Sequence, residues 1–208
     1  MLFRSNDPGF LDHRDSVAHI ATSSIRRIAQ WRHRFPQHRL YNLRGNVNTR
    51  LRKLAEERWD AAIFAQAGLE RIHLRPEKSI VLDWMLPAPA QGAIMVVARS
   101  EDEQTLQSCR ALNDPDTALC TKIERNFLRT LLGGCSTPIS ALAEVEDGDV
   151  FFSGQLLSID GLQKAEIEKI LPADKADSIG RQAAEELLER GGQAIVDGIR
   201  AAEAHKTS

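Results

Sequence analysis

Short apolar runs alternate with amphipathic stretches between residues 17 and 67, and this alternation constrains the fold more than any other feature. The apolar runs predict strands at residues 17–21, 39–43 and 61–67. Apolar residues at helical spacing predict one helix from Ile25 to Phe35 and a second that begins after Asn46. A strand–helix–strand–helix–strand order predicts a parallel sheet with covering helices, in which ligands bind at the carboxyl ends of the strands.

The second half of the chain has a different pattern, which predicts an α+β unit. Asp147-Gly148 and Asp160-Gly161 separate three strand-like runs and predict antiparallel hairpins. The runs are ISALAEVE (139–146), VFFSGQLLSI (150–159) and KAEIEKIL (164–171). Helices are predicted at 115–132 and at 173–203, the latter broken at Gly191-Gly192. Between the two units, QGAIMVVAR (91–99) predicts another strand and residues 101–112 predict a polar helix.

Charge is distributed unevenly, although the net charge is only −2. Residues 1–58 hold 12 Lys and Arg against 5 Asp and Glu, whereas the remainder holds 15 against 24. The first part is therefore a candidate anion-binding surface, although most basic runs in proteins are solvated faces. The acidic remainder and the single tyrosine argue against nucleic-acid binding, because stacking aromatic side chains are scarce.

Composition narrows the remaining classes of protein. The chain is 42% hydrophobic and 27% charged, which is typical of globular proteins. It has no apolar run of membrane-spanning length and its N-terminus is polar, so we expect a cytoplasmic protein without membrane partners. Cys109, Cys120 and Cys135 are too widely and unequally spaced for a disulfide framework or a zinc site, and no metal is expected.

The segment TSSIRR (22–27) predicts an anion site. Ser23 and Ser24 lie where free N–H groups and hydroxyls meet at the start of the first helix. Arg26 and Arg27 lie in its first turn, where cations oppose the helix dipole unless an anion compensates them. The alternative interpretation is a pair of ordinary surface arginines.

The segment LRGNVNTRLRKL (43–54) adds further cations at the same predicted edge. Gly45 allows a close backbone approach, and Arg44 and Arg50 flank the start of the second helix. Arg71 follows the third strand. Arginine is preferred where carboxylates or phosphates are bound by two parallel hydrogen bonds. Phosphate, nucleic acid and a polycarboxylate are all compatible with five arginines at one sheet edge.

Cys135 ends the run GGC (133–135) after a predicted helix. A cysteine on a Gly-Gly turn is expected to be exposed, although cysteine prefers burial. It is a candidate nucleophile or attachment point, and an incidental loop cysteine is the alternative.

Five motifs in order give the chain a close resemblance to the porphobilinogen deaminase (hydroxymethylbilane synthase) family. They are TSSIRR, LRGNVNTRLRKL, AGLERI, LPAPAQGA and ERNFLRTLLGGCSTPIS, and the resemblance extends from about residue 17 to the end. One departure is Pro89-Ala90, where the family has Val-Gly before Gln-Gly, and this affects a hinge rather than the chemistry.

The resemblance implies an activity and a cofactor. The family joins four porphobilinogen molecules into linear hydroxymethylbilane and releases ammonia, as part of tetrapyrrole (heme) biosynthesis. It carries a dipyrromethane cofactor on a loop cysteine, which Cys135 matches. By the same resemblance, Ser23, Ser24, Arg26, Arg27 and Arg44 contact the cofactor, and Arg26, Arg44, Arg50 and Arg71 bind the carboxylates of porphobilinogen and the growing oligopyrrole.

The resemblance also implies a fold and a domain division. We expect a periplasmic-binding-protein-like α/β domain with a parallel-rich sheet at 1–88, and an α+β domain with a three-stranded antiparallel sheet at 113–208. Residues 89–112 would return to a first domain that the chain lacks, and we then expect the 91–99 strand to be exposed, to repack or to mediate association. The family's catalytic aspartate belongs to that domain, and Asp7, Asp12 and Asp15 do not match its motif. We therefore expect little turnover from this chain alone, and a non-catalytic polycarboxylate-binding module is the alternative function.

Overall fold

The computed structural model describes residues 2–5, 8–13, 15–74, 79–131 and 137–204. The first unit contains strands β1 (Leu2–Ser5), β2 (His19–Ala21), β3 (Arg39–Tyr41), β4 (Ala61–Phe64) and β5 (Ser79–Val81), with helices α1 (Ile25–Arg34), α2 (Val47–Glu56) and α3 (Gln66–Glu70). After helix α4 (Glu103–Cys109), the second unit contains helix α5 (Pro115–Thr130), strands β6 (Ile139–Glu146), β7 (Asp149–Leu157) and β8 (Lys164–Pro172), and helices α6 (Ile179–Leu187) and α7 (Gln193–Ala204). Within these ranges, no helix is both long and apolar enough to cross a bilayer.

The first sheet has five strands in the order β3-β2-β4-β1-β5. Strand β2 pairs in parallel with both β3 and β4, which confirms the predicted parallel arrangement. Strand β1 pairs antiparallel with β4 and with β5, and neither β1 nor β5 was predicted. The third apolar run also ends earlier than expected, because the chain turns into α3 at Gln66.

Helices cover both faces of this sheet. Alternate side chains of β4 point to opposite faces, so Ile63 packs with Trp31 of α1 and Phe64 packs with Leu54 of α2. Ser24 caps α1, and Asn46 caps α2 by accepting the Thr49 N–H at 2.9 Å, as the sequence predicts. The two cores therefore fix where both helices begin relative to the strand ends.

The second unit packs helices against one face of an antiparallel sheet. The strand order is β6-β7-β8, with turns at the two predicted Asp-Gly pairs, so the predicted three-stranded sheet is confirmed. Phe127 of α5 contacts Phe152 of β7 edge-on, with ring centroids 5.2 Å apart. The predicted C-terminal helix is divided into α6 and α7 by a kink at Gly191, whose φ is +106°.

The predicted strand at 91–99 is not formed, and this expectation was wrong for secondary structure. Residues 93–99 have no regular hydrogen-bonding pattern, and they run along the surface. The expected exposure of the segment is observed. The large apolar side chains are exposed by 80% (Ile94), 62% (Met95), 52% (Val96) and 80% (Val97). A strand needs a neighbour to supply hydrogen bonds, and no described strand lies beside this segment.

The two units contact each other through α1. Gln30 donates from Nε2 to Ser140 Oγ of β6 at 3.0 Å. His33 Nδ1 lies 2.9 Å from the carbonyl oxygen of Gly161 in the β7–β8 turn, and Arg32 donates to the Ile159 carbonyl at 3.3 Å. The C-terminal half of α1 therefore positions the second unit.

We predict that Gly161→Ala destabilises the chain more than Gly148→Ala does. Both glycines have positive φ, which costs an L-residue about 1–2 kcal/mol. A Cβ at Gly161 would also lie 2.7 Å from the Ala29 carbonyl oxygen, whereas one at Gly148 would meet nothing within 4 Å. Urea unfolding is expected to show an additional loss of about 1–3 kcal/mol for Gly161→Ala. Equal losses would contradict the described docking of this turn on α1.

Candidate functional site

A polar cavity of about 320 Å³ lies at the carboxyl end of the parallel strands. Its lining comes from the segments that follow β2 and β3, from β4, and from the first turns of α1 and α2. The lining residues are Thr22, Ser23, Ser24, Arg26, Arg27, Leu43, Arg50 and Ile63. The topology thus collects into one place residues that are far apart in the sequence, as parallel α/β sheets do.

The start of α1 forms one wall of the cavity. The Ser24 hydroxyl accepts the Arg27 backbone N–H at 3.5 Å, and the Thr22 hydroxyl accepts the Ser24 N–H at 3.4 Å. Ser23 donates its hydroxyl to the Leu43 carbonyl, which ties the β2–α1 turn to the chain after β3. The first turn of α1 contains no acidic residue, so its dipole lacks an internal counter-charge.

Arg27 is a buried cation with incomplete hydrogen bonding. Its side chain donates from Nη1 to the Ile63 carbonyl of β4 at 3.0 Å, and the residue is 8% exposed. Its Nε has no hydrogen-bond partner among the described residues. Burial lowers the pKa of Arg27 to about 10, and the charges of Arg26 and Arg50 act in the same direction.

Arg26 also has incomplete hydrogen bonding. Its Nη2 donates to the side-chain oxygen of Gln91 at 3.2 Å, but its buried Nη1 has no partner within the described part of the chain. Burial lowers the pKa of Arg26 to about 10. Desolvated guanidinium groups with unused donors cost free energy unless a ligand accepts from them.

These features together fit an anionic ligand with planar acceptor groups. Carboxylates accept two parallel hydrogen bonds from guanidinium and compensate the dipole at the start of α1. The dipyrromethane cofactor that the sequence resemblance implies is made from porphobilinogen units, each with an acetate and a propionate, so its carboxylates fit the unpartnered nitrogens of Arg26 and Arg27. Arg50 adds a third cation to the lining, and its Nε donates to the Gly45 carbonyl at 2.7 Å.

The remaining predicted site residues lie elsewhere or outside the described residues. Arg44 and Arg71 are exposed and do not line the cavity, so their binding roles remain predictions. Cys135 falls within residues 132–136, outside the described part of the chain. Asp12 and Asp15 are exposed, and Asp7 is not described.

Two further residues contribute to this site, and one of them, Gln91, was not predicted from the sequence. Thr22 belongs to the predicted TSSIRR anion site, and it is 2% exposed and lines the cavity. Gln91 belongs to a segment predicted to be a strand, and nothing in the neighbouring sequence indicates its contact with Arg26. Among the described residues, no group of three His, Cys, Asp or Glu side chains is arranged to hold a metal ion.

The fold joins an α/β unit, which contains the arginine-lined cavity, to an α+β unit. Two family models match the chain. "Porphobilinogen deaminase, dipyromethane cofactor binding domain" matches residues 2–107, and "Porphobilinogen deaminase, C-terminal domain" matches residues 118–189. The chain therefore belongs to the porphobilinogen deaminase family. The first description agrees with the dipyrromethane cofactor that the sequence resemblance implies.

Curated relatives with the name porphobilinogen deaminase are similar to most of this chain. The protein of Syntrophotalea carbinolica is 41% identical over 181 residues, which cover 86% of this chain and 58% of the relative. That of Chromobacterium violaceum is 37% identical over 201 residues, covering 96% of this chain and 65% of the relative. The chain thus spans about 60% of the length of the relatives that it matches.

We predict that Arg26→Met stabilises the anion-free chain and weakens its response to anions. The change removes a cation that opposes the α1 dipole, an effect of about 0.3–1 kcal/mol. Thermal unfolding with and without trimesate, a planar aromatic tricarboxylate, measures both quantities. The control is Arg52→Met, because Arg52 is exposed on α2 and pairs with Glu56 at 2.9 Å. An unchanged trimesate response in Arg26→Met would contradict a ligand role for Arg26.

Proposed function

We propose that this chain provides the cofactor- and substrate-binding part of a hydroxymethylbilane synthase. The reaction joins four porphobilinogen molecules into linear hydroxymethylbilane with loss of ammonia. The observation that carries this proposal is the cavity lined by Arg26 and Arg27, each with a buried side-chain nitrogen that lacks a partner among the described residues. Membership of the family gives this anion site its specific ligand class, the carboxylates of pyrrole acetates and propionates.

The cavity residues would bind and orient these carboxylates. Arg26 and Arg27 would donate from their unused nitrogens, and Arg50 would add charge from the α2 side. Ser23, Ser24 and Arg44 would contact the cofactor, and Arg44 and Arg71 would bind substrate from outside the cavity lining. Dipyrromethane, attached at Cys135, supplies the primer to which porphobilinogen units are joined.

Residues 89–112 would be a segment that pairs with a further domain, between a domain at 1–88 and one at 113–208. Four consecutive large apolar side chains, Ile94 to Val97, are half-exposed or more, so both faces of an extended segment here are apolar. Such a pattern is typical of a strand buried on both faces of an α/β sheet. The first sheet would belong to a periplasmic-binding-protein-like domain. A partner domain of the same class would then bury both faces of this segment.

The first experiment is the intact mass of the purified chain. If the cavity and Cys135 assemble the cofactor, the chain is expected to carry the added mass of two pyrrole units. Cys135→Ser is expected to lose it, whereas the control Cys109→Ser is expected to keep it. An added mass that persists in Cys135→Ser would contradict the attachment site.

An unmodified mass in the parent chain would overturn autonomous cofactor assembly. Trimesate binding by the same sample would then favour the non-catalytic polycarboxylate-binding module.

The partner proposal is tested by complementation. We predict that adding the part of the Syntrophotalea carbinolica relative that lies outside the matched region generates porphobilinogen turnover. Met95→Lys is expected to reduce this turnover at least about tenfold, because burial of an unpaired lysine is costly. Ile170→Lys on β8 is the matched control, since Met95 and Ile170 are both 62% exposed. Equal turnover in the two variants would contradict docking through residues 93–97.

A further inference from the structure

The turn at residues 88–92 contacts the arginine-lined cavity and the second unit at the same time. Gln91 accepts the Arg26 Nη2 donor at 3.2 Å, and the same oxygen accepts the Ala88 N–H at 3.4 Å. The Gln91 side chain therefore has a defined orientation, although the residue is exposed. Its amide oxygen is the described partner of the Arg26 guanidinium, and it carries no charge.

Glu124 of α5 holds the same turn from the other side. Its carboxylate accepts the Ala90 N–H at 2.5 Å and the Ala143 N–H of β6 at 2.8 Å. Glu124 is 5% exposed, and this burial raises the pKa of its carboxyl, while the two N–H groups oppose the shift. Ala90 has a φ of +58°, a conformation that a non-glycine residue adopts only when its surroundings hold it.

These contacts form a chain from the second unit to the cavity. Glu124 fixes Ala90, the adjacent Gln91 is thereby placed beside Arg26, and Gln91 binds one terminal nitrogen of the guanidinium. The other terminal nitrogen, Nη1, is buried and has no partner among the described residues. A neutral acceptor orients a guanidinium without cancelling its charge, whereas a carboxylate at position 91 would compete with an anionic ligand.

We propose that Gln91 is a positioning residue that presents Arg26 to a polycarboxylate in the cavity, and that Glu124 acts on the same site through the 88–92 turn. This inference rests on the proposed carboxylate binding at the cavity. It adds that the affinity of the first unit for its ligand depends on a contact made by the second unit. Neither residue touches the ligand in this arrangement.

The test is calorimetric titration of the full chain with trimesate, with Cys135→Ser as the parent background so that no covalently attached cofactor occupies the cavity. Gln91→Ala is expected to bind about fivefold more weakly, because one oriented hydrogen bond to a charged group is lost. Gln91→Glu is expected to bind about tenfold more weakly at pH 7.5, because its carboxylate pairs with Arg26. Gln107→Glu makes the same chemical change at an exposed position on α4 and is expected to bind as the parent chain does.

The pH dependence of trimesate affinity distinguishes a positioning role of Gln91 from a merely structural one. In the Gln91→Glu variant, a protonated carboxyl at position 91 resembles the parent amide in shape and charge. The ratio of parent affinity to variant affinity is therefore expected to fall as pH decreases from 7.5 towards and below the ordinary glutamate pKa of about 4.3, and pairing with Arg26 shifts this fall to still lower pH. Titration of trimesate itself affects both proteins and cancels in the ratio. A ratio that does not change with pH would overturn the positioning role.

The contribution of Glu124 is measured by a double-mutant cycle. Glu124→Gln retains the size of the side chain but replaces one acceptor oxygen with a donor, so it releases one of the two N–H groups. It is expected to weaken trimesate binding in the parent chain and to have little further effect in Gln91→Ala. Additive losses would overturn transmission through Gln91.

The parent chain distinguishes this inference from the proposed function. Parent binding together with unchanged affinity in Gln91→Ala would overturn the inference alone. A parent chain that does not bind trimesate would overturn both.

Discussion

The site depends on one constraint at the start of α1. Positive charge is desolvated there without a complete set of hydrogen-bond acceptors. Arg26 and Arg27 lie where the helix dipole is itself positive, and each retains a nitrogen without a described partner. The surrounding structure supplies only neutral acceptors among the described residues, the Ile63 carbonyl and the Gln91 amide oxygen. In the proposed function, an anion would accept from these nitrogens, so the free-energy cost of leaving them without acceptors would contribute to the affinity.

Helix α1 connects this charge to the rest of the molecule. Its first turn lines the cavity, its buried face packs on the parallel sheet, and Gln30 and His33 contact the second unit. A shift of the second unit would therefore move the helix whose first turn carries the arginines. The contacts of Glu124 and Gln91 run beside this helix and connect the same two units by a second route.

Local patterns in the sequence predicted most of the elements. Alternating apolar runs and capping residues placed α1, α2 and the parallel strands, and Asp-Gly turns placed the antiparallel sheet. Strands β1 and β5 were missed because they lie outside the alternation of apolar runs and helices between residues 17 and 67, and β1 joins the sheet by pairing with residues about sixty positions away. The segment 93–99 has the composition of a strand, but composition does not supply a hydrogen-bonding neighbour.

In the site, too, local sequence predicted the residues near the helix starts but not the contacts that depend on the tertiary structure. Ser23, Ser24, Arg26, Arg27 and Arg50 were predicted at one sheet edge, and the cavity brings these five together. Arg44 and Arg71 follow strands of the same sheet, but side-chain direction, which a sequence pattern does not specify, leaves them outside the lining. Gln91 was not predicted because its contact with Arg26 spans 65 residues and depends on how the chain returns from the first sheet.

The exposed segment from Ile94 to Val97 affects whether newly synthesised chains fold or aggregate in the cell. An uncharged apolar run with free backbone groups is a template for pairing with identical runs on other copies. Arg99, Glu101 and Asp102 follow it closely and act as charged gatekeepers that oppose such stacking. Newly synthesised copies therefore face a kinetic competition between productive docking and aggregation, and chaperones that bind extended apolar segments would favour the first outcome.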